Sequence, residues 1–165
     1  GKPGLEGWKR TSPCLRKEWL CSLAEEALQE GFTMEYLPGK EYSVDVLARD
    51  GEPLLIIPRE RVVVSEGKAV LVKLVRHEGL IRWTEKLVRL FSLSYICNLQ
   101  FKEDAKGHPK LLEINPRVPA SLATDLAGGI NMFEEALNLV YKGQVTAKKV
   151  RWGAMCGRFF TELFV

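Results

Sequence analysis

The feature that most constrains this chain is one segment, NLQFKEDAKGHPKLLEINPR, at residues 98–117. Two apolar-alternating runs flank a polar turn, which reads as a β-hairpin. With the turn centred between Lys106 and Gly107, Gln100 lies opposite Glu113 and Asn98 lies opposite Asn115. Opposed residues in an antiparallel pair have Cβ atoms about 4.5–5.5 Å apart. Because side chains alternate with period two, all four point to one face, and Cys97, Leu99, Phe101, Leu112 and Ile114 point to the other. One face is therefore core, and the other gathers a carboxylate and three amides.

Glu, Gln and Asn supply hard oxygen donors, which suit Mg²⁺; that ion takes few protein ligands and shares the rest with water and phosphate oxygens. A face carrying one charge leaves such an ion incompletely neutralised and open to polyphosphate. Asn115-Pro116 ends the strand, because proline cannot continue a ladder. It delivers Arg117 just past the face, where a guanidinium can meet a phosphoryl group. Alternation alone is equally met by an ordinary solvated strand face, which is the plainer account of such a pattern. The wording of the motif departs from that account.

N-x-Q-F, a turn, and L-x-E-I-N-P-R resemble the metal-binding signature of ATP-grasp enzymes, most nearly the carbamoyl-phosphate-synthase-like branch. The resemblance implies that Gln100, Glu113 and Asn115 hold magnesium ions bridging the ATP phosphates, that Asn98 joins the nucleotide site, and that Arg117 is the catalytic arginine. It implies ATP and two Mg²⁺ ions as cofactors, with Mn²⁺ able to substitute. Residues 34–47, MEYLPGKEYSVDVL, resemble the family's strand–turn–strand that holds adenosine. Glu35, Tyr36 and Leu37 then match the groups that read adenine, and Glu41 matches the ribose-binding glutamate. One carboxylate can accept both ribose hydroxyls. Glu41 taken alone reads as an exposed strand carboxylate.

In IPRERVVV, Arg59 and Arg61 share a strand face. The family reading brings such residues to the triphosphate, with Arg59 as an ATP contact; a solvated face accounts for them as well. Lys2-Pro3 followed by glycine resembles the family's phosphate loop, whose lysine contacts ATP. That loop here reads GLEGWKR, where Glu6 is unfavourable beside phosphates and Trp8 is bulky.

The expected fold is α+β, an antiparallel sheet flanked by helices. Residues 1–36 are expected to form the end of an ATP-grasp lid, and residues 37–165 the core subdomain with the Mg-ATP site. The resemblance implies a further N-terminal domain of the same chain. The expected elements are a helix from the Ser12-Pro13 start to Gly31, strands at 32–37, 41–48 and 54–64, and a helix at 80–93 with Leu80, Trp83 and Leu87 inward. After the hairpin come a short helix at 121–127, a helix capped by Asn131 and ended by Gly143, and mostly strand over 150–165.

Of the 165 residues 46% are hydrophobic, enough for a core, and no apolar run is long enough to span a membrane. Lys and Arg number 24 against 21 Asp and Glu, a net +3 that does not by itself argue for nucleic acid. The one basic stretch with an aromatic, Arg82-Trp83 with Lys86 and Arg89, is weakened as a nucleic-acid site because helical spacing puts Trp83 with the core. The four cysteines show no C-x-x-C spacing and read as buried thiols of a cytoplasmic protein; two histidines far apart argue against a histidine metal site.

The implied reaction is ligation of an unidentified carboxylate to an unidentified amine through an acyl phosphate, with homo-oligomer formation through an unpaired edge left open. Two other readings stand beside it. One is an ATP-binding module without turnover, and the other is a structural domain with a decayed site.

Overall fold

Strand β1 (Glu41–Arg49) lies inside a six-stranded sheet, and its alternation decides how the rest packs. β2 (Glu52–Ser65) and β3 (Lys68–Leu74) follow on one side. β4 (Tyr95–Glu103) and β5 (Pro109–Asn115) lie on the other, and β6 (Met155–Gly157) closes the far edge. The order is β5-β4-β1-β2-β3-β6, antiparallel throughout. Helix α1 (Glu78–Leu90), a 3-10 helix (Leu122–Gly128) and helix α2 (Met132–Lys142) complete the described elements. The computed structural model describes residues 34–65, 67–146 and 149–159. The glycine-rich loop with Lys2 and the helix expected from Ser12-Pro13 lie outside the described residues. The chain divides into two compact units, 1–36 and 37–165.

One sheet face carries Tyr42, Val44, Val46, Cys97, Leu99 and Phe101 against Leu80 and Val88 of α1. Here the expected apolar side of the hairpin is core. The other face changes character along its length. At one end Leu47, Ile57, Leu74 and Ile96 pack under the 3-10 helix and α2, against Leu122, Ile130, Met132 and Leu139. Toward the other end β1 presents Asp45, Ser43 and Glu41, opposite Asn98, Gln100 and Lys102 of β4. Helices thus cover the apolar half and leave the polar half as the wall of a cleft.

Local signals account for the helix ends. Asn131 accepts the Glu134 N–H at 3.3 Å, and Gly143 takes the left-handed conformation, φ 71°, at the C-cap. His77 caps α1, its Nδ1 accepting the Leu80 N–H at 3.2 Å.

Several expectations change. β3 had no counterpart in the reading of the sequence. Residues 34–37 are not in a strand, and of 150–159 only β6 is. Trp83 does not face the core: it is half exposed, with the Lys86 ammonium 5.2 Å from its ring centre. The buried stripe of α1 is Leu80, Thr84 and Val88. Small and β-branched side chains there let the helix come close to the sheet, and at about 100° per residue that stripe turns the indole aside. The ground on which the basic helix face was set aside is thereby removed, though Arg89 is already engaged with Glu52 through both of its terminal nitrogens.

Candidate functional site

The 98–115 hairpin pairs Asn98 with Asn115 and Gln100 with Glu113, the register expected from the sequence. It reaches that register by another route. The turn is centred on Lys106, since Glu103 pairs Pro109 and Lys102 pairs Lys110. Asp104 organises it, accepting the N–H groups of Lys106 at 2.8 Å and His108 at 2.9 Å, which holds its carboxyl below the usual range. A bulge between Gln100 and Phe101 then inserts one residue in β5 and restores the phase. Without the bulge, Glu113 and Asn115 would turn to the opposite face.

On that face Asn115 Nδ2 donates to Glu113 Oε1 at 2.7 Å. Gln100 Oε1 accepts from Arg61 at 3.1 Å, and the same arginine is ion-paired with Glu41 and donates to the Gly67 carbonyl at 2.6 Å. Lys102 Nζ lies 3.7 Å from Glu41. Among the described residues no three His, Cys, Asp or Glu side chains gather as a metal site. The donor set in question is instead one carboxylate and two amides on adjoining strands, oxygen ligands of the kind that fit Mg²⁺ with phosphate completing its shell.

These side chains border two hollows. A cleft of about 170 Å³ is lined by Ser43, Arg61, Asn98, Gln100, Asn115, Arg117 and Ser121, and by Lys68 and Arg158 across from them. A second, shallower hollow is lined by Lys40, Glu41, Glu60, Arg61 and Lys102, so Arg61 stands between the two. Arg117 is exposed, and its only side-chain hydrogen bond among the described residues goes to the Val118 carbonyl at 3.4 Å. Arg158 is half-buried, anchored through its backbone N–H to the Val70 carbonyl at 2.8 Å. Two arginines without carboxylate partners among the described residues in one cleft make it a place for anions. Glu35 and Tyr36 are exposed, whereas Leu37 is buried.

Arg59 and Asn98 are placed differently. Arg59 is fully buried at the cleft floor, and its guanidinium is engaged by the protein. It pairs with Asp45, donates to Thr124 and to the Ser121 carbonyl at 2.8 Å, and has its Nε 3.4 Å from Asp125. Asn98 Nδ2 donates to Ser43 at 2.8 Å and to Asp45 at 2.5 Å. Burial pushes the Asp125 carboxyl up to about 8, with the negative Asp45 adding to the shift and Arg59 opposing it.

Reading the sequence did not single out Asp45, Ser121, Asp125 or Arg158. Asp45 had a signal, a carboxylate in mid-strand directly opposite Asn98. Asp125 and Arg158 had none, because their neighbours come from distant segments.

A family model described as ATP-grasp in the biosynthetic pathway with Ter operon matches residues 28–155, most of the chain. The chain is an ATP-grasp protein. No curated protein matches it. Among solved structures, this ATP-grasp chain is similar to the biotin carboxylase domain of a thermophilic 2-oxoglutarate carboxylase bound to bicarbonate: TM-score 0.64, 14% identity, 86% of this chain and 37% of that one. The Hydrogenobacter thermophilus 2-oxoglutarate carboxylase biotin carboxylase domain dimer, in complex with MgADP, ADP and bicarbonate, matches with TM-score 0.60, 15% identity, and 86% and 36% coverage. N5-carboxyaminoimidazole synthetase from Staphylococcus aureus, complexed with ADP, matches with TM-score 0.54, 15% identity, and 72% and 34% coverage. At these identities the likeness is one of fold, and it confirms the α+β ATP-grasp architecture. The ATP-grasp chain spans little more than a third of each of these structures. No helix among its described residues is long and apolar enough to cross a membrane.

Proposed function

We propose that this chain carries the Mg-ATP site of an ATP-dependent carboxylate–amine ligase or a carbamoyl-phosphate-synthase-like enzyme. The observation that carries the reading is Gln100, Glu113 and Asn115 in register on two strands, with Gln100 and Asn115 lining a cleft that also holds Arg61, Arg117 and Arg158, and Glu113 bonded to Asn115 beside it. The structural neighbours bound to ADP, in one case with magnesium, support the choice of ligand.

On this reading Gln100, Glu113 and Asn115 hold two magnesium ions, which when bound would neutralise the β- and γ-phosphates and orient them for transfer. Arg117, with no carboxylate partner among the described residues, faces the charge that develops on the moving phosphoryl group. Glu41 takes the ribose hydroxyls from the second hollow, which adjoins the phosphate cleft at Arg61. Glu35, Tyr36 and Leu37 read the adenine. Lys2, outside the described residues, is assigned to phosphate binding by the motif alone, with residues 1–36 taken as the end of the lid and 37–165 as the core subdomain. Arg59 and Asn98 belong to the same site, with the Arg59 terminal nitrogens and Asn98 Nδ2 engaged by protein groups at the cleft floor.

Phosphoryl transfer needs positioning and charge stabilisation, so the acyl phosphate route requires no nucleophilic side chain here. Arg158, across the cleft from Asn115, is placed to meet the second anionic substrate, a carboxylate or bicarbonate. The same site without turnover would be a nucleotide-binding module.

Calorimetric titration of Mg-ATP into the wild-type chain and into Glu113→Ala tests the reading. Binding should require magnesium and weaken at least tenfold in the variant, about 1.4 kcal/mol. Equal affinity in both, or binding indifferent to magnesium, refutes the metal assignment. Phosphate release by the whole protein separates ligase from binding module.

A further inference from the structure

The least exposed charges among the described residues lie directly under the cleft. Arg59, Asp45 and Asp125 are all fully buried, and they come from β2, β1 and the 3-10 helix. Two carboxylates and one guanidinium leave an excess negative charge if all three are ionised. Such a charge in a dry interior is costly, so the cluster is expected to take up a proton. The hydrogen bonds agree. Neither Asp125 oxygen has a hydrogen-bond donor among the described residues: Arg59 Nε, itself without an acceptor, lies 3.4 Å from Oδ1 but outside hydrogen-bond geometry, and Asp45 lies beside the pair. A proton on one of the two acids supplies the missing donor.

The cluster also occupies a mechanical position. Arg59 donates to the Ser121 carbonyl and to Thr124, and its Nη2 lies 3.3 Å from Ser121 Oγ. Ser121 lines the cleft and follows Arg117 by four residues. Apart from Leu122, which packs into the core under the 3-10 helix, this segment's backbone hydrogen bonds are local: Arg117 N–H to Asn115 O at 2.8 Å, and Leu122 N–H to Pro119 O at 3.1 Å.

We propose that Arg59, Asp45 and Asp125 form a clamp that holds residues 117–125 against β1 and β2 and so positions Arg117 and Ser121 in the cleft. The clamp is closed when one of the two acids is protonated and loosens when both are ionised. Arg59 is thus a positioning residue rather than a phosphate contact. Among the described residues, the charged groups facing Asp125 are Asp45 from β1 and Arg59 from β2. β3 presents Leu74, and β6 brings Cys156 to the same side of the sheet, opposite Val72. Arg151 bonds to the Ala127 carbonyl at 3.0 Å at the far end of the 3-10 helix. The consequence for nucleotide rests on the function proposed above; the clamp itself does not.

The test is an NMR titration of the full chain from pH 5 to 9.5, following the Asp125 side-chain carboxyl and the backbone amides of Arg117 and Ser121. Mg-ATP affinity is measured at the same pH values, and Asp125→Asn, which keeps the shape of a protonated acid, is treated alongside. The Arg117 and Ser121 amides should titrate with the midpoint of Asp125, and Asp125→Asn should abolish that titration. Wild-type affinity should fall about fivefold or more across the midpoint, the order expected of one added charge near a polyanion. In Asp125→Asn it should not change with pH in that range.

Amides that do not move with Asp125, or that move identically in Asp125→Asn, overturn the clamp. Amides that titrate as expected, with Mg-ATP binding absent at every pH, uphold the clamp and refute the nucleotide reading instead. Binding that is equally pH-independent in both proteins overturns the link from clamp to site.

Discussion

Replacing Gly39 by alanine tests the close approach that sets the edge of the hollow lined by Lys40 and Glu41. A Cβ built on Gly39 would lie 2.5 Å from Glu103 Cβ and 2.9 Å from the Glu103 carbonyl oxygen, where ordinary contact begins near 3.4 Å. The obstruction is largely backbone, so rotating a side chain does not relieve it. The two segments must part by the better part of an ångström. Two hydrogen bonds cross that gap, Gly39 N–H to Glu103 O and Glu103 N–H to Lys40 O, both 2.9 Å. Overpacking of this kind costs about 1–3 kcal/mol, and weakening two backbone hydrogen bonds adds about 1 kcal/mol each at most. Alanine also restricts the unfolded chain, which returns about 0.4–1 kcal/mol. The net expectation is a loss of about 2 kcal/mol. Urea unfolding should show a lower midpoint with an unchanged slope, the mark of altered stability rather than an altered unfolded state. The displacement also moves Lys40 and Glu41, so Mg-ATP affinity should fall with it. A stability change below about 0.5 kcal/mol would refute the reasoning, because it would mean that the strands separate freely at this point.

Arg117→Ala should leave unfolding stability within about 0.5 kcal/mol, since the side chain is exposed and, among the described residues, bonds only to the adjacent carbonyl. It should slow turnover by the whole protein far more than it weakens Mg-ATP binding; parallel losses in both would place Arg117 on the ground-state nucleotide instead. The buried acid predicts a signed pH dependence. Asp125 is raised from 3.8 to about 8, so the folded chain keeps a proton that the unfolded chain has released. That stabilisation is complete below about pH 4, is lost as pH rises toward 8, and levels off beyond, at about 1.4 kcal/mol per pH unit. The gap in unfolding free energy between wild type and Asp125→Asn should follow that slope from pH 5 to 8. Parallel curves would refute the shift.

Much of the candidate site was legible in advance because a hairpin is a local object. Side-chain alternation puts Gln100 and Asn98 on one face, and a polar turn of known length brings Glu113 and Asn115 opposite them. The correct pairing nevertheless depended on something that alternation does not reveal, the bulge in β5 that offsets a turn centred on Lys106. Helix ends at Asn131 and Gly143 were equally readable, since capping acts within one turn. β3 was not, because KAVLVKL is short and becomes a strand only through pairing on both sides with β2 and β6.

The sequence by itself determined the ATP-grasp motif, the α+β pattern of elements and the partition of the hairpin into core and polar faces. These rest on interactions between residues close in the chain or related by one turn. Only the tertiary structure decided which polar residues reach the cleft and which lie under it. Arg59 and Arg61 are two positions apart on the same strand face, yet one is sealed between Asp45 and Asp125 while the other joins Glu41 to Gln100. Burial depends on where the 3-10 helix and α2 settle on the sheet, and it sets the cost of each charge. That long-range packing, rather than residue type, separates an arginine that supports the site from one that lines it.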